Sequence, residues 1–304
     1  MLWFKNAIVY QLNKDNLFDT QAITNAVNAC PFVPCGNTDS MRSGWVSPFG
    51  ESQDNPLVLD NNGQMLLRLK KEIKILPSSV IKQALAEKVT QQEQLFNRKL
   101  KKAEKLSLKD EVYIDLLPRA FSKYQFFWLW IDTVNKRVIV DSSSFKQAED
   151  ILALLRKEMG TLALTPYASD TPLEKTLTKW VKESLSFPPI ILGDEIELKD
   201  AVEDSIVVKC KNQEINSQEI FVHIDSGKQI SKLKLLDERG MSFILNRDYT
   251  LKRIKFDNAI LDKNEDFLPE ESNAKLEADF MLMISQLTDT FKSMQKIIEE
   301  IITV

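Results

Sequence analysis

The 304-residue chain has one histidine, eight glycines and three cysteines, and each scarcity removes a class of function. Any catalytic triad or imidazole metal site would depend on His223 alone, and neither G-x-S-x-G nor H-E-x-x-H surrounds it. The glycines form no G-x-G-x-x-G and no G-x-x-x-x-G-K-[ST], so the usual backbone cradles for a dinucleotide or a nucleoside triphosphate are missing. Cys30, Cys35 and Cys210 make an odd set that suits a reducing, cytoplasmic setting better than a disulfide framework. Cys30 and Cys35 offer two thiolates where a closed zinc site takes four ligands, so neither a metal nor a cofactor is expected. No apolar run is long enough for a membrane helix, and the start, MLWFKNAIVYQLNKDN, lacks a basic leader and a small-residue cleavage site. Membrane insertion and export are therefore not expected.

What remains is the composition of an ordinary globular protein, 43% hydrophobic and 28% charged. The length exceeds the usual size of one compact core, and the patterning divides at a proline-rich stretch into regions 1–185 and 186–304. A net charge of −4 argues against a partner made of phosphates until its distribution is considered. Between Arg68 and Lys109 twelve basic residues stand against four acidic ones, a local charge of +8 in an otherwise acidic chain. Such separation creates a field that draws a polyanion to one face.

Hydrophobic periodicity predicts an α+β chain without the regular alternation of a doubly wound sheet. A first strand is followed by a helix from Asp19, which can cap it, to Ala29. Prolines and glycines break up residues 30–63 into loop with short strands at most. Residues 64–76 read as a basic strand, and Pro77-Ser78-Ser79 as the cap of one long helix reaching Lys109. On that helix Ile81, Leu85, Val89, Phe96, Leu100 and Ala103 form a packing stripe, with Arg98, Lys102, Lys105 and Lys109 opposite. A hairpin over 126–141 turns at Val134-Asn135-Lys136, and helices follow at 147–159 and 173–182. Strands at 205–211, 228–236, 241–247 and 250–256 precede a final amphipathic helix over 270–301.

Two constellations compete for function. Glu197-Leu-Lys199, with Asp194 and Glu195 beside it, matches part of a metal-dependent nuclease site, and the bland reading is a solvated acidic turn and helix start. The basic face has more company: Arg119 and Lys123 follow it, Lys228, Lys232 and Lys234 share one strand, and Lys252, Arg253 and Lys255 share another. The run Tyr124-Gln-Phe-Phe-Trp-Leu-Trp130 serves either as core or as a set of stacking platforms for bases.

The stretches KILPSSVIKQAL (74–85), RKLKKAEK (98–105), LKDEV (108–112), LLPRAF (116–121), WIDT (130–133) and ALLRK (153–157) together resemble the bacterial recombination-associated family RdgC. Met1-Leu-Trp-Phe-Lys-Asn6, Leu251-Lys-Arg-Ile-Lys-Phe256 and Ala278-Asp-Phe-Met-Leu-Met283 extend the resemblance to both ends. It implies a cytoplasmic, nucleoid-associated homodimer that closes into a ring around duplex DNA with little sequence preference, also takes single-stranded DNA, and antagonises RecA-driven strand exchange. Carried over by position, it implies DNA contacts from Arg98, Lys99, Lys102, Lys105, Arg119 and Lys211, and dimer contacts from Phe121, Asn212 and Gln213. Asn212 departs from the family, whose members often carry a basic residue there.

Overall fold

A computed structural model describes residues 2–13, 19–50, 55–160, 162–169, 171–203 and 205–303. The order of elements is β1 (Asn6–Leu12), α1 (Thr20–Ala29), β2 (Met41–Val46), β3 (Val58–Asn61), β4 (Gln64–Ile75), α2 (Ser78–Leu95), α3 (Lys102–Leu116), β5 (Phe121–Asp132), β6 (Arg137–Val140) and α4 (Phe145–Met159). There follow β7 (Leu164–Pro166), α5 (Leu173–Lys182), β8 (Ile190–Asp200), β9 (Val207–Lys211), α6 (Gln218–Asp225), β10 (Lys228–Asp237), β11 (Met241–Asn246), β12 (Leu251–Phe256), α7 (Asn258–Leu261) and α8 (Ser272–Thr303). The strands form an antiparallel sheet in the order β2-β4-β5-β6-β1-β12-β11-β10-β8-β9, with β3 on β4 and β7 on β1. The expected α+β class holds.

Strand β1 stands at the centre because its two faces are apolar in different directions. Ile8, Tyr10 and Leu12 point into a core with Ile23 and Val27 of α1 and Ile151, Leu152 and Leu155 of α4. Ala7 and Val9 face the other way, toward Phe280, Met283, Leu287, Met294 and Ile298 of α8. Buried carboxylates pin the turns between neighbouring strands: Asp132 accepts from Gln64, Asn135 and Arg137, and Asp237 accepts from Arg239 and from the Thr290 hydroxyl on α8 at 2.6 Å. Each bond replaces water that burial has removed from an ionised group.

The helix at 20–29 is capped as its sequence predicts, Asp19 accepting from the Ala22 N–H at 3.0 Å, and Gly160 ends α4. Two expectations fail. The predicted helix reaching Lys109 is two helices; Ser78 and Ser79 lie inside α2, whose N-terminus has no side-chain cap. The acidic turn and helix start predicted around Glu197 is strand β8, bonded to β9 and β10 on either side, and Glu197 is buried. The short strands expected at most between the prolines of 30–63 are β3 and β2, the latter running for six residues along β4.

Gly44 makes that last pairing possible. A Cβ there would collide with the backbone of Phe32, because the Pro31–Phe32 segment crosses directly over β2, with the Phe32 N–H donating to the Trp45 carbonyl at 2.8 Å. The obstacle is backbone and cannot rotate aside. Gly44→Ala should therefore cost about 1–3 kcal/mol of stability as an overpacking change. Urea denaturation of the variant beside the parent measures it, and an unchanged midpoint would show the crossing to be loose.

Candidate nucleic-acid interface

The most basic part of the sequence forms a hairpin of two helices that leaves the sheet from the end of β4 and returns to the start of β5. Helices α2 and α3 pack principally on one another, and α2 has no fully buried residue. Between them the chain reverses at Asn97, whose φ of 47° is left-handed, a conformation asparagine tolerates better than most residues. Two carboxylates hold the reversal. Glu93, on the last turn of α2, accepts from Lys99 at 2.7 Å and from the Leu100 N–H at 3.1 Å, with Lys105 at 3.3 Å. Glu104 accepts from both ends of the Arg98 guanidinium, at 2.6 and 2.9 Å, and from the Lys101 N–H at 2.7 Å, satisfying a donor that the start of α3 would otherwise leave open. The Lys99 bond to Glu93, and the Arg98 bond to Glu104, hold both carboxyls at about 2 against an ordinary 4.5.

This turn corrects the predicted opposition of basic and apolar stripes. Arg98 and Lys99 lie on the reversal, and Lys102 and Lys105 begin a second helix in a new direction. Leu100 is buried as predicted, but Phe96 is 53% exposed. Around it the hairpin also exposes Leu95, Leu106 and Ile114. Arg119 ends a short 3-10 turn beyond α3 and is exposed, and Phe121, the first residue of β5, is 85% exposed. Arg98, Lys99, Lys102, Lys105, Arg119 and Phe121 thus belong to one projecting unit.

Lys211, Asn212 and Gln213 do not join them. Lys211 ends β9, the last strand of the sheet, and Asn212 and Gln213 follow it, whereas the hairpin springs from β4 and β5 near the opposite end. Asn212 is exposed with a left-handed φ of 54°, and Gln213 bonds to Glu219. Lys211 lines a groove of about 360 Å³ with Lys209, Lys232, Lys252 and Arg253. Lys252 and Arg253 are neighbours that an ordinary strand would turn to opposite faces; a φ of 51° at Arg253, where the β11–β12 register shifts, brings both to the groove. Lys209 was missed in the sequence, although the charged–apolar alternation of Val208-Lys209-Cys210-Lys211 carries its signal.

The four candidate nuclease residues all lie on β8, yet they do not share one site. Glu195 and Glu197 line the groove; Asp194 and Lys199 do not. Burial raises the Glu197 carboxyl, but Lys232 at 2.9 Å, Ser231 at 2.9 Å and Lys209 at 3.2 Å outweigh it and hold it below its ordinary value. Glu195 pairs with Arg253 and Lys211, and Asp194 with Lys234. Among the described residues, no three His, Cys, Asp or Glu side chains gather where they could hold a metal ion, and no helix is long and apolar enough to cross a membrane.

Comparison with known proteins brings in the same region of sequence space from two directions. The profile of a family described as "Putative exonuclease, RdgC" matches residues 2–301. Proteins named "Recombination-associated protein RdgC" from Yersinia pestis (strain Pestoides F) and Yersinia pseudotuberculosis serotype O:3 are each 45% identical over 294 residues, covering 97% of either chain. A protein of the same name from Yersinia enterocolitica is equally similar.

Because the folded carboxyls of Glu93 and Glu104 sit below their ordinary values, their hold on the turn is complete above about pH 4.5 and is lost as pH falls toward 2. Carboxyl-detected NMR titration should give midpoints near 2 for both. Midpoints near 4.5 would mean that the cations and backbone donors do not clamp the reversal.

Proposed function

Because this chain belongs to the RdgC family of recombination-associated proteins, we propose that it binds DNA without catalysing a reaction, encircling duplex DNA as a dimeric ring and limiting RecA-promoted strand exchange. The observation that carries the proposal is the projecting hairpin, on which exposed cations and exposed apolar side chains share one turn. Arg98, Lys99 and Lys102 are placed for phosphates. Leu95, Phe96 and Phe121 are large apolar groups in water, an arrangement that a second copy of the chain would relieve. The groove of Lys209, Lys211, Lys232, Lys252 and Arg253, at the far end of the sheet, supplies a second row of cations for the same backbone. Cations at both ends of one elongated sheet suit a polyanion that passes along or through the assembly. Such a protein would act in the cytoplasm on the nucleoid.

None of these contacts reads a base edge, so affinity follows from phosphate number and is indifferent to sequence. Arg98 and Lys99 already hold carboxylates, yet exposed pairs of this kind are screened by water and salt, and a row of phosphates can replace them. The description of the family as an exonuclease favours a second reading, with Asp194, Glu195, Glu197 and Lys199 as a metal-dependent site. Their failure to share one site and their cation partners favour binding over cleavage. Plasmid nicking in Mg²⁺ that disappears in Glu197→Ala would reverse that preference.

Replacing Arg98, Lys99 and Lys102 together by alanine should weaken duplex binding on any sequence. Each lost phosphate contact lowers the salt slope of log K by about 0.9, or about 1.8 per substitution in a symmetric dimer. Unchanged affinity and slope would make this turn mere solvated surface.

Encirclement has its own signature, since linear DNA lets a ring slide off whereas a closed circle releases it only when an interface opens. Protein on circular DNA should resist a high-salt wash that screens the Lys and Arg contacts, and should lose that resistance once the circle is cut. Phe121→Ala should bring retention on circles toward that on linear DNA. Equal loss of the parent protein from circle and line would reject the ring and leave an open basic groove.

A further inference from the structure

The aromatic run of β5 divides in a way that its sequence does not disclose. Trp128 and Trp130 are buried beneath the α8 side of the sheet, but Tyr124 and Phe126, on the same face, extend past that cover and are 49% and 42% exposed. Register sets β4 cations beside them, Lys70 opposite Phe126 and Arg68 opposite Trp128. The Lys70 ammonium lies 4.9 Å from the Tyr124 ring, 5.7 Å from Phe126 and 4.9 Å from Phe32, which the crossing over Gly44 delivers to the same place. The Arg68 guanidinium lies 4.4 Å from Phe126. Glu72, the one carboxylate among these β4 positions, is buried and occupied by Ser122, the Cys35 N–H and Lys74. The strip therefore sets basic side chains among aromatic rings, with the Glu72 carboxylate turned to other partners.

We propose that this strip of Phe32, Lys70, Tyr124 and Phe126 is a stacking platform for the unpaired bases of a single nucleic-acid strand, distinct from the cations that hold duplex phosphates. The inference rests on the DNA-binding reading above and adds to it a separate site with a different ligand chemistry. Flat rings accept any base face, and cations between them meet the phosphates that link successive bases. Tyr124 and Phe126 stand two residues apart on one strand, about 6.7 Å, which leaves room for one base on each. A duplex is the wrong ligand, because its base faces are stacked on one another and only their edges are accessible. An acidic peptide would also meet the charge, but exposed rings repeating along the strand, with cations over them that a base and its phosphate would share, suit a row of bases better. Phe121 points to the other face of β5, so a dimer contact through it leaves the strip open.

The test compares the full-length parent with Tyr124→Leu/Phe126→Leu, which keeps apolar bulk and removes the rings. The probes are oligo(dT), a strand of the same length whose sugars carry no bases, and a duplex of that length. The parent should prefer oligo(dT) to the base-free strand. The variant should lose on the order of tenfold per ring in affinity for oligo(dT), with an unchanged salt slope, and bind the base-free strand and the duplex as the parent does. Crosslinking of the unaltered protein to a strand containing 5-iododeoxyuridine should label Tyr124 or Phe126, a readout that survives if the variant misfolds. Equal parental affinity for oligo(dT) and the base-free strand overturns the platform, and so does labelling elsewhere. So too does an acidic aromatic peptide that protects the strip from chemical footprinting where oligo(dT) does not, which would assign it to a protein partner. Failure of the parent on the duplex as well would overturn DNA binding itself, so loss of the platform alone is recognisable.

Discussion

The pairing of β1 with β12 holds the two ends of the chain's story together. A strand from the beginning of the sequence lies between β6 and β12, with Ala7 opposite Leu251 and the Lys5 carbonyl accepting from Ile254 at 2.9 Å. The contact is short, and its entry is fixed by a half-buried carboxylate: Asp141 accepts from the Lys5 and Asn6 N–H groups, while desolvation raises its own carboxyl. Without this seam the elements bearing the hairpin and those bearing the basic groove would share no sheet. The distance between the two cation rows, and so any single polyanion that could touch both, depends on a few backbone bonds around one central strand.

Long range explains what could be read in advance and what could not. Elements whose signals are local were legible: the Asp19 cap, the hairpin closing at 133–136, helix 173–182 and the last four strands, each with its own periodicity or turn chemistry. The final helix was legible because Phe280, Met283, Leu287, Met294 and Ile298 recur at helical spacing. Strand β8 was hidden by its charges. Asp194, Glu195 and Glu197 look like solvated surface until strands distant in sequence bring Lys234, Arg253, Lys211, Lys209 and Lys232 to them. The break between α2 and α3 was hidden for the same reason, since Glu93 and Glu104 stand eleven residues apart and become a clamp only after the chain has reversed.

Candidate site residues were legible in type and not in arrangement. Basic density found the hairpin, yet a helical wheel drawn through Asn97 placed Arg98 in line with Lys102 and Lys105, a line that does not exist. The family resemblance grouped Lys211 with them, and the sheet order sends it to the other end. Buried and exposed parts of the aromatic run could not be told apart from sequence, because Tyr124, Phe126, Trp128 and Trp130 are alike in character and share one face, and they differ in whether the core on the α8 side reaches over them.

The self-pairing of the cations bears on how a chain of net charge −4 could hold a polyanion without clinging to every acid it meets. At the hairpin turn and in the groove, Arg98, Lys99, Lys209, Lys211, Lys232 and Arg253 each already have a carboxylate partner. A lone anion that displaces one such partner exchanges one pair for another and gains little. A DNA strand gains more, because its condensed counterions are released as phosphates are neutralised, and that release belongs to the nucleic acid and not to the protein. Prior pairing thus lowers the affinity of each contact while leaving the count of phosphates, and the salt dependence, intact. Weak individual contacts summed over many phosphates give a grip that can slide, which is what a sequence-indifferent protein held on DNA by topology would require.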